Sequence, residues 1–201
     1  MKLLIAVPSM DYMHTEFVKS LLALVNRLKN EQVQHEVRIE SGTLVYRARD
    51  KLARYAMNNK FTHVLWLDSD MVFTDSIVED LQFCGKPFVT GIAHGRRSPY
   101  QSCLFKSYWP EVTLWNQKDY PTNTFEVAAC GFAAVLIEVE ALRVVMIKYN
   151  TCFTPTEYFG EDVAFCDRAR KMGYKVWAEP SVRLGHIAHI AIYPEDSEVL
   201  K

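Results

Sequence analysis

The amino-acid sequence predicts an α/β protein, a mostly parallel twisted sheet with helices on both sides. Two observations carry this reading. Over the first 90 residues, apolar runs of strand length alternate four times with segments of helical periodicity, the pattern of parallel strands joined by crossover helices. The first run, LLIAV at residues 3–7, is apolar without a break and stops at Pro8, as a strand covered on both faces does.

The elements follow in order. Residues 14–29 place Phe17, Leu21, Leu24, Val25 and Leu28 on one helical face. Residues 35–39 alternate briefly and read as a second strand. Ser41-Gly42-Thr43 is a turn with N-cap chemistry ahead of a helix over about 44–58. On that helix Val45, Leu52 and Ala56 define the inward face; Arg49 falls on it, and Arg47 points away as a surface charge. Residues 61–67 form the third strand and run straight into Asp68-Ser69-Asp70. Thr74 or Asp75 can cap a helix through Leu81, and Lys86-Pro87 leads into a fourth strand over 88–90. Residues 91–125 hold three prolines, two glycines and several aromatics with no clean period; they read as loops and short irregular strands that cover a cleft. Residues 125–137 read as two strands separated by a bend at Cys130-Gly131. Residues 138–146 and 161–172 are helical, the second ended by Gly173. Two short strands around Pro180, at Val176 and at 182–184, precede the tail GHIAHIAIYPEDSEVLK.

Composition removes several classes. The net charge of −1 offers no basic footprint for nucleic acid. The five cysteines are widely spaced with no CxxC pair, which fits free thiols in a reducing compartment better than a disulfide framework or a zinc site. No apolar stretch is long enough to span a bilayer, so a soluble, cytoplasmic protein without a transmembrane segment is expected. GxGxxG, P-loop and GxSxG patterns do not occur.

The chemistry concentrates in VLWLDSDMVF. A buried strand delivers Asp68 and Asp70 at its carboxyl end, the edge of an open α/β sheet where ligands bind. Alternation along extended chain puts both on one side. Two such carboxylates repel unless a positive charge lies between them, and a hard divalent cation, Mg²⁺ or Mn²⁺, shared with substrate phosphates supplies it. The competing reading is that DSD caps a helix. Pro8 and Ser9 follow the first strand at the same edge. An inward Arg49 needs an anionic partner, either Asp68 in a structural ion pair or a bound diphosphate. Glu161 and Asp162 open a helix after Gly160, where acids also complement the helix dipole.

THVLWLDSDMVF resembles the DxD segment of glycosyltransferases of the GT-A fold, of the family 2-like kind. SGTLVYRARDKLARYAM resembles the helix that precedes that segment in one branch of these enzymes. VTGIAHGRRSP, VAACGFAAVLIEVEAL, FGEDVAFCDRARKMGYKVWAEP and RLGHIAH follow in the family's order, so the resemblance covers nearly the whole chain.

The resemblance implies a single domain over 1–201, with a nucleotide-binding half at 1–90 and a donor-sugar and acceptor half at 91–201. It implies transfer of a sugar from a nucleotide-diphosphate sugar, UDP by resemblance alone, to the hydroxyl of a carbohydrate or other acceptor. Asp70 is then the main metal ligand and Asp68 a donor and metal contact beside Ser69. His186 is the late ligand in LGHIA, with His189 as its rival because Ala188 stands where the family has Gly. Asp162 becomes the general base, kept ionised by the helix N-terminus, and Glu161 orients the acceptor. Pro8 and Ser9 meet the nucleotide, Arg49 the diphosphate, and Gly131 lets the backbone approach the donor sugar. His94, Arg96 and Arg97 meet donor or acceptor, or are surface charges. Two rival functions remain. A nucleotidyltransferase normally carries a Gly-rich basic loop where this chain has VPSMDYMH, and a non-catalytic nucleotide-sugar-binding protein of the same fold has no use for the Glu161-Asp162 pair.

Overall fold

The computed structural model describes residues 1–188. The first half alternates strand and helix: β1 (Lys2–Pro8), α1 (Thr15–Asn30), β2 (Gln34–Glu40), α2 (Val45–Asn58) and β3 (His63–Leu67). A short β4 (Met71–Val72), α3 (Ile77–Phe83) and β5 (Phe88–Ile92) follow. The irregular middle holds β6 (Leu104–Ser107) and β7 (Thr113–Leu114). Then come β8 (Phe125–Val127), β9 (Ala129–Cys130), β10 (Ala134–Glu138), α4 (Val139–Tyr149), α5 (Glu161–Lys171), β11 (Val176–Arg183) and β12 (Gly185–His186).

Seven strands form one sheet in the order β2-β1-β3-β10-β5-β11-β8. β2, β1 and β3 are mutually parallel, as are β5 and β11; β10 runs antiparallel between β3 and β5, and β8 antiparallel at the edge. The sheet is thus mostly parallel with helices on both faces, as the alternating pattern predicts. Strand alternation sorts the core. Leu3, Ile5, Val7, Leu65 and Leu67 face one cluster with Phe17, Leu24 and Leu28 of α1 and Ile77 and Leu81 of α3. Leu4, Ala6, Val64 and Trp66 face the other, with Leu52 and Ala56 of α2, Leu142 of α4 and Phe165 of α5. On that side Trp66, Phe88, Phe132, Phe153 and Phe165 pack ring against ring, with Phe153 and Phe165 stacked at 4.8 Å.

Four local expectations are corrected. The N-cap of α2 is Leu44, and no side chain caps it, so Ser41 and Thr43 form the turn without capping the helix. The helix after Asp70 starts later, with Ser76 at its N-cap instead of Thr74 or Asp75. Residues 125–137 hold three strands, because β9 leaves the main sheet to pair with β6. The two strands expected around Pro180 are one strand, β11, whose register against β5 shifts between Ala178 and Arg183 and so absorbs the proline as an irregularity.

Asp50 ties the two halves together. One of its oxygens accepts the N–H groups of Cys152 (2.8 Å) and Phe153 (2.9 Å), and the other accepts the Thr151 hydroxyl. Arg168 holds the same loop from α5, donating to the carbonyls of Cys152 and Thr154. Hydrogen bonds to a charged acceptor are worth about 1.5–3 kcal/mol each, and orphaned amides add desolvation. Asp50→Ala is therefore expected to lower unfolding stability by about 3 kcal/mol. Urea denaturation followed by circular dichroism checks this, and a loss below about 1 kcal/mol shows that the loop is held by other contacts.

Candidate active site

β1 and β3 are neighbours, so Pro8-Ser9 and Asp68-Ser69-Asp70 emerge side by side at the carboxyl edge of the sheet. The Asp68 amide donates to Ala133 O (3.1 Å), and the Met71 amide donates to Asp68 O (3.2 Å). The acidic pair thus sits in a tight turn and re-enters a strand, β4, so the helix-cap reading of DSD is excluded. β4 pairs with β12, setting Met71 opposite His186, and the Ile187 amide donates to Asp70 O (2.9 Å). That ribbon delivers His186 from the far end of the described chain to the side of Asp70.

A cleft of about 270 Å³ collects Pro8, Ser9, Arg49, Asp68, Ser69, Asp70, Glu161, Asp162 and His186. Met10, then Thr43 and Val45 at the entry to α2, and Arg96 complete its wall. Gly131 is not in it. It lines an adjoining cavity of about 430 Å³, which shares Glu161 and Asp162 with the first. There the space a Cβ would take at Gly131 is bounded by Cys103 Cβ at 3.3 Å. Arg47 is exposed, as expected. His189 lies outside the described residues.

Arg49 is the electrostatic centre. It is only 2% exposed, with Nη2 at 2.9 Å from Asp68 Oδ1 and Nη1 at 2.7 Å from Asp162 Oδ1. Its guanidinium lies 4.8 Å from the Phe132 ring centre. Burial works against its charge, but Asp162 and then Asp68 outweigh that and leave its pKa above the usual value. Of the two anionic partners expected for it, Asp68 is in place, with Asp162 as a second carboxylate partner. Asp68 feels burial most strongly; Arg49 pulls its pKa down, and Asp162, Asp70 and Glu161 push it up, to about 7.

Asp162 accepts the Phe132 amide on Oδ2 at 3.2 Å. Its pKa is raised: burial is the main cause, opposed by Arg49 and reinforced by Glu161. Asp162 does stand in the first turn of α5, where burial raises its pKa and Arg49 opposes that rise. A raised pKa also makes it a stronger base.

Asp70 and His186 form the other half. His186 Nδ1 lies 2.7 Å from His94 O, and a carbonyl only accepts, so Nδ1 carries a proton and Nε2 faces Asp70 Oδ2 at 3.4 Å. Arg96 Nη1 lies 2.8 Å from the same oxygen. Sequence reasoning had Arg96 only as one of several loop basics, and no pattern marks the His94 carbonyl as the group that orients His186. Among the described residues no group of three His, Cys, Asp or Glu is arranged to hold a metal ion. Asp68 Oδ1 is paired with Arg49, whereas Asp70 faces His186. The latter two fit a hard cation that takes its remaining ligands from phosphate and water.

No family model and no curated protein sequence matches the chain. Solved structures do. A197 from STIV superposes with a TM-score of 0.62 at 19% identity, over 93% of this chain and 86% of that one. The catalytic domain of Drosophila beta1,4-galactosyltransferase 7, in complex with xylobiose, gives 0.58 at 14% identity over 100% and 79%. A protein assigned as a glucose-1-phosphate thymidylyltransferase from Bacillus anthracis, in complex with sucrose, gives 0.52 at 9% over 92% and 89%. The fold is GT-A-like. At these identities the likeness is one of fold alone, a Rossmann-like architecture shared with that galactosyltransferase domain and with the protein assigned as a thymidylyltransferase. No helix of the described residues is long and apolar enough to cross a membrane.

The charge balance around Arg49 gives a test with a definite sign. Asp68 is raised above the usual carboxylate range, so the folded state binds its proton more tightly than the unfolded chain. Its contribution to stability is full below about pH 4 and is lost as pH rises through about 7. Arg49→Leu removes the cation that opposes this and raises Asp68 and Asp162 further. The variant is expected to lose about 3 kcal/mol or more at pH 8 and distinctly less at pH 5. Denaturation at both pH values measures it; an equal loss at each means that packing, not charge, fixes Arg49.

Proposed function

We propose that this protein is a metal-dependent glycosyltransferase that moves a sugar from a nucleotide-diphosphate sugar, of the UDP class, to a hydroxyl acceptor. The observation that carries the reading is the composition of one cleft at the carboxyl edge of a GT-A-like sheet. Four carboxylates, Asp68, Asp70, Glu161 and Asp162, face two guanidiniums, Arg49 and Arg96, there. A diphosphate entering alone meets net repulsion, whereas one entering with Mg²⁺ or Mn²⁺ does not. A bound cation of this kind neutralises charge building on the departing diphosphate.

Asp70 and His186 Nε2 hold the cation, with Asp68 contacting the donor beside it. Arg96, half exposed and on a loop, exchanges its contact with Asp70 for the diphosphate. Pro8, Ser9 and Thr43 border the nucleotide. Asp162 reaches both cavities, so it stands between the donor and the space open to an acceptor. There it takes the proton from the attacking hydroxyl, with Glu161 orienting that acceptor. The fold likeness to a nucleotidyltransferase supports a second reading, transfer of a nucleotidyl group to a sugar phosphate. That reading requires a nucleoside triphosphate donor and gives Asp162 no proton to remove from an acceptor hydroxyl.

Calorimetric titration with UDP and then with UDP- and GDP-sugars, with Mn²⁺ and with chelator, tests the donor site. Metal-dependent binding that Asp70→Asn weakens at least tenfold is expected; binding indifferent to metal and to Asp70 removes the proposal. A second measurement addresses the base. With a donor identified, Asp162→Asn is expected to keep donor affinity within a few-fold and to lower turnover by about 10²–10⁴. Retained turnover excludes Asp162 as base, and a nucleoside triphosphate that outcompetes every nucleotide sugar favours the nucleotidyltransferase.

A further inference from the structure

A third cavity, of about 550 Å³, lies further along α5 and plays no part in the chemistry above. Its floor and wall are aromatic. Trp109 is 61% exposed and Tyr158 66% exposed, and their ring centres are 5.4 Å apart with the planes inclined at 52°. Phe159 buttresses them, edge-on to Trp109 at 6.3 Å and to Tyr108 at 5.3 Å. The platform is built, not incidental. The Thr156 amide donates to Phe159 O (2.9 Å), and the Thr156 hydroxyl accepts the Tyr158 and Phe159 amides, so the loop 156–159 is closed on itself.

The rim is polar and already arranged. The Tyr108 hydroxyl donates to Asp167 Oδ1 (3.2 Å), and Lys171 Nζ lies 2.8 Å from Asp167 Oδ2. Arg170 donates to Ala128 O at 3.1 Å and has no carboxylate partner among the described residues. An apolar segment laid on the aromatic rings would strip water from Asp167, Arg170 and Lys171 without replacing its hydrogen bonds, a costly exchange. A pyranose ring suits both parts. Its C–H face covers an aromatic ring, and its hydroxyls bond planar charged groups at the edge.

Position ties this cavity to the proposed reaction. Val163 borders the second cavity and Asp167 and Arg170 the third, and they follow one stripe of α5 at helical spacing. Asp162 and Asp167 are five residues apart, roughly 7 Å along the axis. Phe159 and Gly160, adjacent in the chain, line the third and second cavities respectively. We infer that the Trp109–Tyr158 cavity is a saccharide subsite that holds a distal unit of an oligosaccharide acceptor whose terminal hydroxyl reaches Asp162. The inference rests on the transferase reading for its orientation, but the binding itself requires neither nucleotide nor metal.

The test uses the full chain without nucleotide and with chelator present. A printed array of defined mono- to hexasaccharides is screened, and the strongest binder and its shorter homologues are titrated by calorimetry. Both aromatic side chains are largely exposed, so Trp109→Ala/Tyr158→Ala should fold normally, which an unchanged melting temperature verifies. The oligosaccharide is expected to bind at least tenfold more tightly than its monosaccharide. The double variant should weaken it at least tenfold, Trp109→Phe should bind it more tightly than Trp109→Ala does, and Asp70→Asn should leave it unchanged. An array without binders overturns the inference, as does binding indifferent to the double variant or binding lost in Asp70→Asn, which places the saccharide in the acidic cleft. The two proposals fail separately. Saccharide binding that depends on Trp109 and Tyr158 in a protein that binds no nucleotide leaves this subsite standing and removes the transferase; nucleotide binding with a blank array does the reverse.

Discussion

The site depends on one buried guanidinium. Arg49 comes from α2, Asp68 from the end of β3 and Asp162 from the first turn of α5, and the ion pairs between them join three elements far apart in sequence. A cation taken out of water at this depth is tolerable only with close anionic partners. Phe132 and Phe153 add their ring faces to it. The arrangement explains why a strongly charged group lies against the aromatic core of Trp66, Phe132 and Phe153, and why Asp162 is held at a fixed place beside the acidic turn. Arg49 is thus a structural ion pair whatever else it meets, so the two alternatives open from sequence are not exclusive.

Much of this was legible in the chain, for a definite reason. Parallel strands buried on both faces announce themselves as apolar runs, and the helices between them by period, so β1, β3 and β5 could be read one at a time, and β2 by its brief alternation; β4 had no such signal. The inward position of Arg49 followed from spacing on a single helix. The same logic failed wherever the partner is distant. Nothing local tells β10 to insert antiparallel between β3 and β5, or β9 to desert the main sheet for β6. His186 was visible as a candidate, but what places it beside Asp70 is the β4–β12 ribbon, two residues long on each side. What orients its ring is the carbonyl of His94, which has no signature in a sequence.

Capping and ionisation were misjudged through a different limit. Ser41 and Thr43 have the right chemistry for a cap, yet Leu44 occupies the capping position, because cap residues are equally good turn residues and the turn claims them first. For Asp162 the helix terminus pointed towards a low pKa, whereas burial, reinforced by Glu161, raises it. The sequence displays which charges exist. It does not display how far each is from water, and in a cleft the second quantity decides.

That distinction also governs what the cleft accepts. At an effective dielectric constant near 20, two unit charges about 4 Å apart interact by about 4 kcal/mol, so an unbalanced carboxylate matters on the scale of a whole domain's stability. Arg49 balances Asp68 against Asp162, and Arg96 balances Asp70, but Glu161 brings a further charge; burial first, and then Asp162, Asp70 and Glu161, lift the Asp68 pKa to about 7. The cleft is therefore short of positive charge even before an anion arrives. Of the two guanidiniums only Arg96 is exposed enough to move. On the proposed reading a ligand bearing phosphate brings a cation with it, and cation and anion binding are then mutually dependent: each would enter the site more readily in the presence of the other.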